Sequence, residues 1–117
     1  MSPLWTVQWV GTSLKELQGM PEPVRDEMGF VLGRVQEGKW HTSIRSLIGI
    51  TGVWEIRSNH ASDTYRLVFA TSLSDAIYVL HVFQKKSRRG ISTPKYELDV
   101  IRARLKRAKE IADERAR

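Results

Sequence analysis

Three apolar runs in the middle of the chain constrain its fold more than any other feature: GVWEIR ending at Arg57, DTYRLVFATS from Asp63 and AIYVLHVFQ from Ala76. Each is strand-length and rich in β-branched and aromatic residues, and the segments between them, SNHAS and SLSD, are short and polar. Such runs read as strands, and an antiparallel meander is the economical way to join them. LWTVQWV, from Leu4 to Val10, alternates in the same manner and adds an edge or inner strand near the N-terminus.

The remaining segments carry helical periodicity. TSLKEL predicts a short helix with Thr12 or Ser13 as cap, Glu16 three residues after Ser13 as in a capping box, and Gly19 at its end. PEPVRDEMGFVLGRVQEG predicts a second helix. Pro23 falls in its first turn, Val24, Met28, Val31, Leu32 and Val35 on one face, and Gly38 at its stop. Gly29 and Gly33 weaken its interior unless they permit close packing on a sheet or on the first helix. KWHTSIRSLIGITG reads as a connection punctuated by Gly49 and Gly52. The C-terminal segment from Thr93 predicts a long helix capped by Thr93, with Leu98, Ile101, Leu105, Ala108, Ile111 and Ala112 on its apolar stripe and a basic opposite face. The order β-α-α-β-β-β-α makes residues 1–117 a single α+β domain with its helices packed on one face of a small, antiparallel-dominated sheet.

A chain of 117 residues can bury a core without staples, and the absence of cysteine excludes a disulfide framework and fits a reducing compartment. No basic leader or long apolar run is present, so a soluble cytoplasmic domain is expected. The charge is split unevenly. Residues 1–84 carry 7 Lys or Arg against 8 Asp or Glu, net −1; residues 85–117 carry 12 against 5, net +7. The densest point is the end of the third central strand, where Lys85, Lys86, Arg88 and Arg89 fall within five residues. This asymmetry points to a polyanionic partner.

Strand alternation sorts the charged side chains. Trp54, Ile56, Tyr65, Leu67 and Phe69 suit a helix-covered core, which sends Glu55, Arg57 and Arg66 to the other, open face. There they form either a cross-strand ion-pair set or a site. With Lys85 and Lys86 at the neighbouring strand end, the set holds several cations, one carboxylate and possible proton-transfer groups, as phosphate chemistry requires. His81 shares strand parity with Ile77, Val79 and Phe83, which favours a buried structural role over a catalytic one. His41, His60 and His81 lack metal-ligand spacing, and there is no glycine-rich phosphate loop, so neither metal nor cofactor is expected. Among the four tryptophans, Trp40, flanked by Lys39 and His41, is the best candidate for exposure; Trp5, Trp9 and Trp54 read as core.

SLIGITGVWEIRSNHASDTYRLVFA, followed by IYVLHVFQKKSRRGISTPKYELDVIRARL, resembles the phage-derived HigB-like branch of the RelE toxin superfamily over about Ser46 to Leu105. The resemblance rests on Gly-Val-Trp-Glu-Ile-Arg, the Tyr65-Arg66 pair, a strand ending His-x-Phe-x-Lys-Lys, and Thr-Pro before a basic helix. It implies a RelE-like fold and the toxin of a type II toxin–antitoxin module: a metal-independent endoribonuclease that cleaves messenger RNA on the ribosome and inhibits translation. The implied partners are a helix-turn-helix, HigA-like antitoxin, the ribosome and mRNA. It also implies that Glu55, Arg57, Arg66, Lys85 and Lys86 lie on the active face. In the mechanism we read from this, Arg57 and Arg66 oppose transition-state charge, Glu55 is the base, and Lys85, Lys86 or His81 the acid. Arg88, Arg89, Arg102 and Lys106 are read as RNA-phosphate contacts. The alternative is a non-catalytic RNA- or antitoxin-binding module of the same fold.

Overall fold

A computed structural model describes residues 4–74, 76–85 and 93–116. The elements in chain order are β1 (Thr6–Trp9), α1 (Ser13–Gln18), α2 (Glu22–Gln36), β2 (Ile44–Ser46), β3 (Val53–His60), β4 (Asp63–Ala70), β5 (Ala76–Lys85) and α3 (Lys95–Arg115). They form one five-stranded sheet ordered β1-β5-β4-β3-β2. Strands β3 to β5 make the expected antiparallel meander, β2 extends it at one edge, and β1 runs parallel to β5 at the other. The α+β class is as expected. The added strand β2 lies in the segment that reads as a connection: its three residues are too few to show a period, and they become a strand by pairing with Trp54–Ile56.

Helix α2 follows its sequence signature. Val24, Met28, Val31, Leu32 and Val35 are all buried. At its end Gly38 adopts φ +78°, its N–H donates to Val35 O (2.9 Å), and Lys39 N–H donates to Arg34 O (2.8 Å). That is a Schellman motif, and the left-handed residue it requires is the glycine the sequence supplies. A Cβ placed on Gly29 or Gly33 would meet nothing within 4 Å, so neither glycine serves close packing. In α1 the expected capping box does not form. Ser13 lies inside the helix and its hydroxyl donates to Val79 O on β5 (3.0 Å), while Thr12 Oγ1 donates to Glu16 Oε2 (3.1 Å).

The helices do not share one face, which corrects the expectation from element order. Helix α2 packs on the face carrying Ile56, Tyr65, Leu67, Phe69, Ile77, Val79 and Val82. Helix α3 packs through Ile101, Ala108 and Ala112, with Leu98, Leu105 and Ile111 partly buried, on the face carrying Val53, Val68, Ala70, Tyr78, Leu80 and Phe83. Strand β5 is therefore apolar on both sides, as a strand covered on both faces must be.

A bulge sits in the β4–β5 ladder: Val68 pairs with His81 and Phe69 with Val79, leaving Leu80 as the extra residue. It flips the facing of the last half of β5. Phe83 consequently joins the α3 face, with His81 stacked beside it (4.8 Å between ring centres, 21°), while Ile77 and Val79 stay on the α2 face. The parity that groups His81 with Ile77 and Val79 fails for this reason. Among the described residues no helix is long and apolar enough to cross a membrane.

Candidate functional site

The ladder between β3 and β4 sets Arg57 directly opposite Arg66, and Glu55 opposite Val68. Two guanidinium groups facing each other repel, so the pairing requires a counter-charge. Glu55 provides it. Its Oε1 accepts from Arg57 Nε (2.9 Å) and its Oε2 from Arg66 Nη1 (3.1 Å). On the next strand Phe83 pairs with Arg66 and Lys85 with Thr64, so Lys85 stands diagonal to Arg66.

This face is not open, contrary to the alternation argument. Glu55 and Arg66 are each only 2% exposed. The start of α3 covers them: Thr93, instead of capping the helix, accepts a hydrogen bond from Arg66 Nη1 (3.2 Å), and Pro94 takes the cap position. Arg66 Nε is buried with no hydrogen-bond partner among the described residues. Arg57, with 29% of its side chain exposed, is the solvent-facing member.

Burial dominates the electrostatics. It lowers the Arg66 pKa, as does Arg57, against the opposing pull of Glu55. Burial likewise lowers the Lys85 ammonium below the ordinary lysine value, and the nearby positive charges of Arg66 and Arg57 lower it further, with Glu55 acting in the opposite sense. An ammonium so placed gives up its proton more readily than a surface lysine.

His81 belongs to a different network, which the sequence reading missed. Its Nδ1 lies 3.0 Å from Glu16 Oε1 on α1, and its Nε2 lies 3.1 Å from Glu97 Oε1 on α3. Arg104 Nη1 donates to the same Glu16 oxygen (2.9 Å) and to Leu80 O (3.1 Å), and Val82 N–H also donates to Glu16 Oε1 (3.0 Å). Burial alone raises the Glu16 carboxyl pKa. The hydrogen bonds from His81, Arg104 and Val82 N–H, with the charge of His81, outweigh that and lower it to about 2. The one sequence trace of this cluster is the seven-residue spacing of Glu97 and Arg104, which sets both on one side of α3. Glu16 reads as a capping residue, and nothing local links it to β5.

Of the expected site residues, the structure thus gathers Glu55, Arg57, Arg66 and Lys85 and engages both nitrogens of His81 elsewhere. Arg102 and Lys106 are exposed on α3, where Arg102 sits 3.6 Å from Asp99. Lys86, Arg88 and Arg89 lie outside the described residues. Trp40 is 49% exposed and packs edge-on against Trp54 (5.0 Å between ring centres). Trp5 is also exposed, at 40%; Trp9 and Trp54 are partly buried against the core.

The family model for "Phage derived protein Gp49-like (DUF891)" matches residues 15–106. The chain belongs to that family. Gp49-like proteins are RelE/HigB-like toxins, so the chain is a toxin of the RelE superfamily. Among solved structures, a mutant of the Escherichia coli toxin RelE in the free state aligns with a TM-score of 0.58 at 19% identity, over 89% of this chain and 97% of that one. That likeness is one of fold. No curated protein sequence matches the chain.

Proposed function

We propose that this Gp49-like protein is the toxin of a type II toxin–antitoxin module and acts as an endoribonuclease on messenger RNA at the ribosome. The observation that carries this reading is the Lys85 ammonium, its pKa lowered, beside two arginines fixed by one buried carboxylate. Cleavage of RNA through its own 2′-hydroxyl needs positive charge at the phosphorane and a donor for the 5′ leaving oxygen. Arg57 is the accessible cation for the phosphate, and Arg66 backs it from beneath. Lys85 is assigned as the acid: it protonates the 5′ oxygen as its bond to phosphorus breaks, while the 2′ oxygen bonds phosphorus and its hydroxyl proton passes to solvent water, leaving a 2′,3′-cyclic phosphate and a 5′-hydroxyl. Glu55, with both oxygens engaged and almost no exposure, holds the arginines in place rather than serving as the base. Arg102 and Lys106, on the exposed side of α3, supply contacts to RNA phosphates. A helix-turn-helix antitoxin of HigA type is the proposed partner, bound over the face that carries Arg57.

The second reading, a module that grips RNA or an antitoxin without cleaving, draws support from the burial of Glu55 and Arg66 beneath Thr93. One experiment separates the two: single-round cleavage of a messenger on programmed ribosomes. Arg57→Ala is expected to lower cleavage about 10²-fold, the scale of losing one preorganised charge-stabilising donor, with little change in melting temperature because Arg57 is partly exposed. A folded parent chain that binds ribosomes without cutting establishes the binding module. One that neither binds, cuts nor slows bacterial growth overturns both.

A further inference from the structure

Helix α2 presents an aromatic ring on its outer side. Phe30 is 60% exposed, although Val24, Met28, Val31, Leu32 and Val35 of the same helix are buried. The Arg34 guanidinium lies over the Phe30 ring (6.0 Å to its centre), and His41 stands edge-on to it (6.1 Å between ring centres, 85°). The chain neighbour of His41, Trp40, is 49% exposed. At about 150–250 Å² for each aromatic side chain, Phe30 and Trp40 together leave roughly 200 Å² of ring surface in water. Rings of this kind are the usual anchors of protein interfaces.

Opposite charges flank the ring. Glu27 lies three residues before Phe30 and Arg34 four after it, so all three share one line along α2. The two charges are about 10 Å apart along the helix axis. Among the described residues neither has an ion-pair partner, and Arg34 Nε is buried without a hydrogen bond. The midpoint between them falls beside Phe30. A two-fold axis through that point, perpendicular to α2, lays the helix of a second copy antiparallel on the first. It sets Glu27 of each copy against Arg34 of the other and brings the two Phe30 rings together. Such self-complementarity is what a closed dimer requires. Long-range charge does not oppose the contact: residues 1–84 sum to −1, and the basic helix α3 covers the other face of the sheet. We propose that the Glu27–Phe30–Arg34 line is an interface through which two copies of this chain associate, with Trp40 at its rim. One helix of 15 residues offers less than a standard interface, so the dimer is transient. The contact lies across the sheet from the Glu55–Arg57–Arg66 cluster, and the proposal stands independently of the chemistry there.

Sedimentation velocity of the full chain at low salt tests the pairing. The parent should show a reversible monomer–dimer equilibrium with a dissociation constant on the order of 100 µM. Phe30→Ala should raise that constant about 10-fold without lowering the melting temperature, because the ring is exposed. Glu27→Arg, which sets arginine against Arg34, should be monomeric at every concentration, and so should Arg34→Glu, which sets two glutamates together. Mixed in equal amounts, those two variants should form a heterodimer, because every contact then joins opposite charges. If Arg34→Glu does not fold, Phe30→Ala and Glu27→Arg, both at exposed positions, decide the matter. A parent chain that stays monomeric up to about 500 µM, several times the expected constant, overturns the proposal. A dimer that Phe30→Ala and Glu27→Arg leave unchanged also overturns it, since its contact then lies elsewhere. A monomeric parent whose Phe30 and Trp40 NMR signals move on addition of a single-stranded oligoribonucleotide assigns the patch to RNA, against the dimer.

Discussion

Replacing Arg66 by alanine tests whether the buried charge cluster is a structural element, a chemical one, or both. Glu55 is 2% exposed, and its Oε2 accepts a hydrogen bond from Arg66 Nη1 at 3.1 Å. Without Arg66 the carboxylate stays under α3 with Arg57 on its other oxygen. Removing one member of a buried pair costs about 3–5 kcal/mol, because the remaining charge is left desolvated. Arg57 compensates in part, which sets the expectation for Arg66→Ala near the lower end, about 3 kcal/mol. For a chain of this size that lowers the melting temperature by roughly 10 °C. The companion is the double variant Glu55→Leu with Arg66→Met, which removes the buried carboxylate and its partner together and fills the space with apolar groups. Such replacements are often neutral, so the double variant should lie within about 1 kcal/mol of the parent in urea melts at pH 7. If Arg66→Ala alone lies within about 0.5 kcal/mol of the parent, the buried pair does not hold the sheet as argued. The same two proteins settle the activity question. Lost cleavage in Arg66→Ala alone can come from a loosened fold, so the comparison is made at about 20 °C, where both proteins remain folded; there the double variant should cleave about 10²-fold less than the parent.

Two further outcomes follow from the packing. Glu16 has a folded pKa of about 2 against an ordinary 4.5, a depressed carboxylate, so its contribution is present above pH 4.5 and lost as pH falls toward 2. The difference corresponds to about 3 kcal/mol, and Glu16→Gln should flatten the dependence of the urea midpoint on pH across that interval. On α2, Gly29→Ala and Gly33→Ala should each stabilise the protein by about 0.5–1 kcal/mol, because open space surrounds both positions and alanine is the better helix former; a lower melting temperature in either variant would show that the glycine is needed by the backbone.

The elements that carry a period over many residues were legible in the sequence. The five buried positions of α2, its Schellman glycine and the meander of β3, β4 and β5 all follow from spacing and turn chemistry. So did the grouping of Glu55, Arg57 and Arg66, since alternation fixes which side chains of a strand share a face. What alternation leaves open is which helix lands on that face. Two signs of a second covering layer were nevertheless present. From Ile77 to Val82 only His81 interrupts an apolar run with residues of both parities, a pattern that suits a strand enclosed on both sides. The stripe on α3 also needed an apolar surface, and the α2 face of the sheet was already filled.

The roof over the charged cluster follows from the same requirement, and it changes what the cluster means. On an open face, Arg57, Glu55 and Arg66 would be a solvated ion-pair set worth about 1 kcal/mol or less. Under α3, Glu55 and Arg66 are desolvated, and the hydrogen bond between them becomes necessary to the fold. Burial also acts on Lys85, lowering its ammonium pKa in a way that no surface lysine would show. Burial and the neighbouring guanidinium groups of Arg66 and Arg57 thus tune Lys85 together. Among the described residues, chemistry at this site requires access through its partly exposed cation, Arg57, so Arg57→Ala separates catalysis from stability more cleanly than any change at Arg66.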